Sequence, residues 1–324
     1  MRQIGSGIVT AMIIALSTLS SCIYDDREDC TLSVHFNYIH NVKSADAFPA
    51  EVRSIDLYIF NDDKVFLDRY SVSAESFGKN YAMHLPSLEA GTYFFVALGR
   101  NRILSDTSYE FEFSELTPGV SVMDDLTMHL GRNGNKCDAD IAALYNGVAT
   151  ATLKDGRQRV DIELKKLTNK YRIIILPYDG TTTFKASDFD FRIEADGGWL
   201  DHEGGKFCED TLTWLPFSVV ATSTKSSEVS SAVVADLSSS RLWREDNAQL
   251  IIGDGKGGEY LRINLPWFLS LQGIAEHRSE WSDQEYLDRQ DFYSITFFID
   301  GNLFVKSKII VNGWVLSLSD VSLG

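Results

Sequence analysis

Leu32, Val34, Phe36 and Tyr38 alternate with Ser33, His35 and Asn37. A side-chain period of two places one face of a strand in a core and the other in water, and no helix produces it. Related patterns recur along the chain, each bounded by turn chemistry. Residues 52–60 and 65–72 flank Asn61-Asp62-Asp63-Lys64 and form an expected hairpin. Tyr81, Met83 and Leu85 alternate before Pro86, and Gly91 opens an unbroken apolar run over 92–98 that suits a strand buried on both faces. Residues 148–153 and 157–164 are joined by Asp155-Gly156, the strongest short-range hairpin signal, which suits a turn with positive φ at both central residues.

The second half continues in the same manner. Strands are expected over 171–176 and 189–194, and over 250–252 and 260–265 around a Gly-rich tip at 253–258. A further hairpin is expected over 292–299 and 303–311 around Asp300-Gly301-Asn302. Ser282 followed by Glu285 has the spacing of a capping box, so 283–289 is expected to be a short helix. The serine-rich stretch 223–240 suits either a loop or a strand with an exposed face. Long amphipathic helices are absent from the pattern, and many short strands with regular turns point to an all-β chain. Leu164-Lys165-Lys166-Leu167-Thr168-Asn169-Lys170 separates two β-rich halves, so the expected domains are β-sandwiches at 31–166 and 167–324.

Before Leu32 the chain has a different character. Arg2 precedes an apolar run through Ile8, Met12, Ile14 and Leu16, followed by Leu19-Ser20-Ser21-Cys22. A basic start, a short apolar run and small residues before a cut site describe a secretory leader. The run is shorter than the roughly 20 residues needed to span a bilayer. A cysteine directly after Leu-Ser-Ser is the pattern of a bacterial lipoprotein signal, in which the thiol is acylated. Residues 1–21 are therefore expected to be a lipoprotein signal peptide, with Cys22 as the lipid site. Residues 22–30, with Asp25, Asp26, Glu28 and Asp29, read as an acidic tether or a surface-export signal.

Composition narrows the function. With 44% hydrophobic and 12% aromatic residues, there is ample apolar surface for packed cores. A net charge of −16 opposes nucleic-acid binding, which needs a basic footprint, and opposes electrostatic docking on anionic headgroups. Membrane attachment would therefore rest on the lipid. Apart from Cys22, the cysteines are Cys30, Cys137 and Cys208, an odd number with no Cys-x-x-Cys spacing. They could form one disulfide at most.

Catalytic motifs do not emerge. The 253–258 loop lacks the Gly-Lys-Ser/Thr ending of a phosphate loop, and Asp254 with Glu259 lacks the ligand spacing of a calcium loop. His202-Glu203 has no second histidine at zinc-protease spacing, and no Gly-x-Ser-x-Gly elbow presents a serine. Trp199, Trp214, Trp243, Trp267, Trp281 and Trp314 could line a sugar platform, although scattered aromatics in a β-rich chain are more commonly core. No catalytic, metal or cofactor residue is expected.

Several segments together carry a resemblance. They are Asp46-Ala47-Phe48 with Glu51-Val52 leading into Ile55-Asp56-Leu57-Tyr58-Ile59-Phe60, then Leu88-Glu89-Ala90-Gly91-Thr92-Tyr93 and Leu164 through Arg172. The last are Tyr286 through Asp300 and Ile309-Ile310-Val311-Asn312-Gly313-Trp314. In this order they resemble the FimB-type anchor subunits of Gram-negative type V fimbriae. The resemblance implies two tandem transthyretin-like β-sandwich domains and an outer-membrane, surface-exposed lipoprotein lipidated at Cys22. It also implies fimbrial (pilin) subunits as partners, joined by β-strand exchange. The alternatives are a surface glycan-binding lipoprotein and an accessory or tip fimbrial adhesin. Cys22→Ala is expected to abolish fatty-acid labelling and release the chain from membranes with both sandwiches folded; persistent labelling would refute this.

Overall fold

The computed structural model describes residues 32–103, 110–132, 134–180, 182–222, 231–277, 280–299 and 305–317. The expected leader, Cys22, the expected acidic tether, Cys30 and the expected 300–302 turn lie outside them.

The first half contains β1 (Leu32–His40), the one-turn helix α1 (Phe48–Glu51), β2 (Ser54–Phe60), β3 (Phe66–Ser73), β4 (Ala82–Leu85) and β5 (Gly91–Arg100). After these come β6 (Phe111–Phe113), β7 (Thr127–Leu130), β8 (Lys136–Cys137), β9 (Leu144–Leu153) and β10 (Gln158–Lys166). One seven-stranded sheet has the order β3-β2-β5-β9-β10-β1-β4. It folds into two layers because β9 and β10 pair only at a corner, Asn146 with Lys165 and Tyr145 with Lys166. Beyond that corner β10 runs parallel to β1, starting from Leu32 opposite Gln158. Leu57, Ile59, Phe95 and Ala97 of one layer share a core with Val34, Phe36, Ile162 and Leu164 of the other.

The Asp155-Gly156 turn differs from expectation. Gly156 takes φ +98, but Asp155 is not in the positive-φ region, so the turn lacks positive φ at both central residues. The strands on either side of it belong to different layers, and β10 takes its ladder from β1 instead of from β9. The hairpin around residues 61–64 is as expected: Lys64 has φ 60, and the Asn61 side chain accepts a bond from the Val65 N–H at 2.8 Å.

Phe95, Val96, Ala97 and Leu98 in β5 are all buried, as the unbroken apolar run implied. Phe95 and Ala97 enter the core just described. Val96 and Leu98 point the other way and join Phe111, Met123, Leu126, Met128 and Leu130 in a second cluster.

The second half contains β11 (Thr168–Pro177), β12 (Asp190–Ala195), β13 (Trp199–Asp201), β14 (Leu212–Trp214), β15 (Ser218–Thr222), β16 (Ala232–Ser240), β17 (Gln249–Gly253) and β18 (Glu259–Asn264). Two helices follow, α2 (Leu265–His277) and α3 (Asp283–Arg289), and then β19 (Phe292–Ile299), β20 (Val305–Val311) and β21 (Trp314–Ser317). A six-stranded sheet, β15-β16-β11-β19-β20-β21, lies with a five-stranded one, β18-β17-β12-β14-β8. Ile173, Ile175, Val233, Ile295 and Phe297 of the first pack with Ile193, Trp214, Leu250, Ile252 and Ile263 of the second. This is an all-β sandwich architecture.

Short strands also cross between the halves. β8 pairs in parallel with β14, setting Cys137 opposite Trp214. β7 pairs with β13, setting Met128 opposite Leu200. The second cluster accordingly draws on residues on both sides of Lys166.

Helix α3 begins as the capping box implied, with the Ser282 hydroxyl accepting from the Glu285 N–H at 3.1 Å. Helix α2 was not expected. Asn264 caps it by accepting from the Trp267 N–H at 2.9 Å, and Pro266 occupies its first turn, where a missing N–H costs nothing. Leu265, Phe268 and Leu269 are buried and Trp267 packs on the same cluster, so no polar face marks it in sequence. The serine-rich stretch divides: β16 is an interior strand with Val233, Ala235 and Leu237 in the core, while 223–230 lie outside the described residues.

The corner between the two layers of the first sandwich depends on Gly147. A Cβ there would lie 2.6 Å from the Glu163 carbonyl oxygen and 2.7 Å from Ile162 Cγ2. Gly147→Ala is expected to destabilise the chain by about 1–3 kcal/mol through overpacking, read as a lower denaturant midpoint at unchanged slope. An unchanged midpoint would show that the corner relaxes freely.

Candidate functional site

The residues that sequence patterns marked for chemistry are engaged in structural roles. Asp254 closes the 253–258 tip, where one carboxylate oxygen accepts from the N–H groups of Lys256 at 2.8 Å and Gly258 at 2.7 Å. Those bonds hold its pKa below the usual carboxylate range. Glu259 is engaged by Arg262 and Arg192, which lower its pKa in turn. The His202 carbonyl accepts from the Asn146 side chain at 2.7 Å. Among the described residues no His, Cys, Asp and Glu side chains gather as a metal site.

The tryptophans occupy separate environments. Trp214 is fully buried and donates to the Ala195 carbonyl at 3.3 Å. Trp199 stacks on Phe207 at 4.9 Å, Trp243 lies under Lys206 and Arg241, and Arg289 sits 4.8 Å above Trp281. The side chain of Trp314 lies outside the described residues. Among the described residues these side chains do not form one flat sugar platform.

A cleft of about 740 Å³ opens on the outer side of β2 and β3. Buried Asp56 is its centre, accepting from Arg69 Nη2 at 2.8 Å, from Arg100 Nη1 at 3.4 Å and from the Ser71 hydroxyl. Burial lowers the Arg100 pKa, against the opposing pull of Asp56 and Glu110. Arg100 also donates to the Phe111 carbonyl at 2.7 Å and stacks 3.7 Å from the Phe113 ring. The cluster thereby fastens β6 to the sheet, a structural task.

The sheet edges differ in their capacity to accept another strand. An unpaired edge is a template for pairing, and charge or brevity blunts it. β3 carries Asp68 and Arg69, β18 carries Glu259 and Arg262, β4 has four residues and β8 two. β15 and β21 are uncharged, with sequences Ser-Val-Val-Ala-Thr and Trp-Val-Leu-Ser. Both are edges of the six-stranded sheet. In β15, Val219 is 39% and Val220 50% exposed, so both faces of that strand are open. This edge was not among the expected features. Its available signal was a β-branched run without charge between Pro216 and the serine-rich stretch.

The family model of fimbrillin-A associated anchor proteins Mfa1 and Mfa2 matches residues 27–320. Among solved structures, a candidate polysaccharide-binding protein of Bacteroides thetaiotaomicron is 29% identical with a TM-score of 0.77, covering 89% of this chain and 98% of that one. A candidate adhesin from the same species is 24% identical with a TM-score of 0.77, covering 88% and 97%. The fimbrial anchor protein Mfa2 of Porphyromonas gingivalis is 16% identical with a TM-score of 0.65, covering 88% and 98%. The last two identities carry the fold alone. No curated protein matches the chain in sequence.

Cys137 is buried in β8, which pushes its thiol pKa up, whereas Cys208 is exposed; both are free thiols. Iodoacetamide at neutral pH is expected to modify Cys208 in the native chain and to reach Cys137 only in urea, as read by peptide mapping. Equal native rates would contradict this burial.

Proposed function

The chain belongs to the family of fimbrillin-A associated anchor proteins, and on that premise we propose that it is a structural lipoprotein anchoring a fimbrium to the outer membrane. A lipid on Cys22 holds the membrane end, and β-strand exchange with pilin subunits holds the other. The observation that carries this function is the family match over residues 27–320, which begins just behind the leader, Cys22 and part of the acidic stretch. Residues 31–166 and 167–324 are its two domains, with β7 and β8 pairing across the division. The uncharged edges of the six-stranded sheet support strand exchange, because main-chain bonds along an open edge give affinity and alternate side chains give specificity. No helix among the described residues is long and apolar enough to cross a membrane.

A second reading, a surface glycan-binding lipoprotein, is favoured by the likeness to the candidate polysaccharide-binding protein. Deleting the chain separates the two. An anchor's loss releases fimbriae into the medium, whereas fimbriae of unchanged attachment and length would overturn the anchor role. Affinity electrophoresis against polysaccharides would then be expected to show retardation.

A further inference from the structure

The outer face of the six-stranded sheet carries a row that its register makes continuous. Val220 of β15 lies opposite Val234 of β16, and Val234 lies opposite Ile174 of β11. Ile174 lies opposite Thr296 of β19, and Thr296 opposite Ile310 of β20. Ile310 in turn pairs with Val315 of β21, so the row reaches both edges. The neighbours of these residues along each strand, Val233, Ile173, Ile295 and Ile309 among them, fill the core. From β15 to β20 the row points outward, with Val234, Ile174, Thr296 and Ile310 half-buried and Val220 exposed.

A sheet face turned to water ordinarily alternates to polar residues. Here one row is entirely β-branched and uncharged, running about 19 Å from β15 to β20 at about 4.8 Å per strand. The row beside it is polar, with Arg172 bonded to Asp236 at 2.8 Å and Ser294 opposite Arg172. The polar row bounds the apolar surface on one side, while on the other Leu176 opposite Phe298 extends it.

Charge selects among the occupants of such a strip. A second copy would bring together two chains of net charge −16, and a lipid surface with anionic headgroups would be repelled by the same charge. An extended, uncharged segment meets neither penalty. Added at an edge of this sheet, it continues the row with one outward side chain of its own.

We propose that this strip is the seat of the fimbrial subunit, whose donated segment adds beside β15 with an aliphatic or β-branched residue level with Val220 while the subunit covers Val234 and Ile174. The proposal rests on the anchor reading and adds the partner's surface and sequence pattern to it. Val234→Lys and Ile174→Lys in the full chain, each expressed in fimbriated cells, test it. Both side chains face outward, so the thermal transition should remain cooperative. Fimbriae in the medium should rise about ten-fold, as expected for placing a charge in an apolar contact. Ser294→Lys on the polar row of the same face should leave attachment unchanged.

Wild-type attachment in both apolar-row variants would overturn the proposal while leaving the anchor role to stand on the deletion result. Release by Ser294→Lys to the same extent would also overturn it, since the effect would then be charge alone. So would self-association of the wild-type chain in sedimentation that Val234→Lys abolishes, or binding to phosphatidylcholine vesicles by the Cys22→Ala chain that Val234→Lys abolishes.

Discussion

Burial of β2 and β5 on both faces is the constraint on which the rest of the structure depends. Leu57 and Ile59 face the core of the first sandwich while Tyr58 and Phe60 face the second cluster, and Phe95 and Ala97 alternate with Val96 and Leu98 in the same way. A slip of one residue would exchange the two sets of side chains and disrupt both cores together. The register is therefore set from two sides. It also makes the segment 111–137 indispensable, since without Phe111, Met123, Leu126 and Met128 the outer face of these strands would lie open to water.

That segment reaches past its own sandwich and pairs with β13 and β14, and an ionic layer reinforces the junction. Lys166 bonds Glu51 of α1 at 3.2 Å and also Asp291 just before β19, and the Tyr145 hydroxyl donates to Glu51 at 2.8 Å. Burial pulls the Lys166 pKa down, but Asp291 and Glu51 outweigh it and raise it, so the ammonium stays charged. Arg241 forks onto both oxygens of Asp288, each at 2.7 Å. Such pairs contribute modestly to stability because desolvation offsets much of their attraction. Their value lies in geometry, since each fixes the angle at which one element meets another.

Local patterns were legible where one short stretch contains the whole cause. The alternation in β1, the Asn61–Lys64 hairpin, the double burial of β5 and the Ser282 cap of α3 each arise within a dozen residues. Helix α2 escaped because nearly every residue in its first two turns is apolar, which leaves periodicity without contrast. Strands β7 and β8 escaped because they are four and two residues long and their partners in the other half lie about seventy or more positions away. Of the candidate surface, the proposed membrane end at Cys22 rests on a local motif, whereas the β15 edge has none, because an edge is defined by the absence of a neighbour.

The amino-acid sequence by itself determined the all-β class, most hairpins and the positions at which strands turn, because side-chain period and turn chemistry act over a few residues. It also carried the Leu19-Ser20-Ser21-Cys22 motif and the acidic charge, which are properties of composition and order. The tertiary structure decided that β9 and β10 part at Gly147 into two layers and that β7 and β8 pair with strands of the other half. It also decided which strands end as uncharged edges and which outward side chains align into one row. Those outcomes depend on register between distant segments, where the free energy comes from burial shared by residues that no local window contains together.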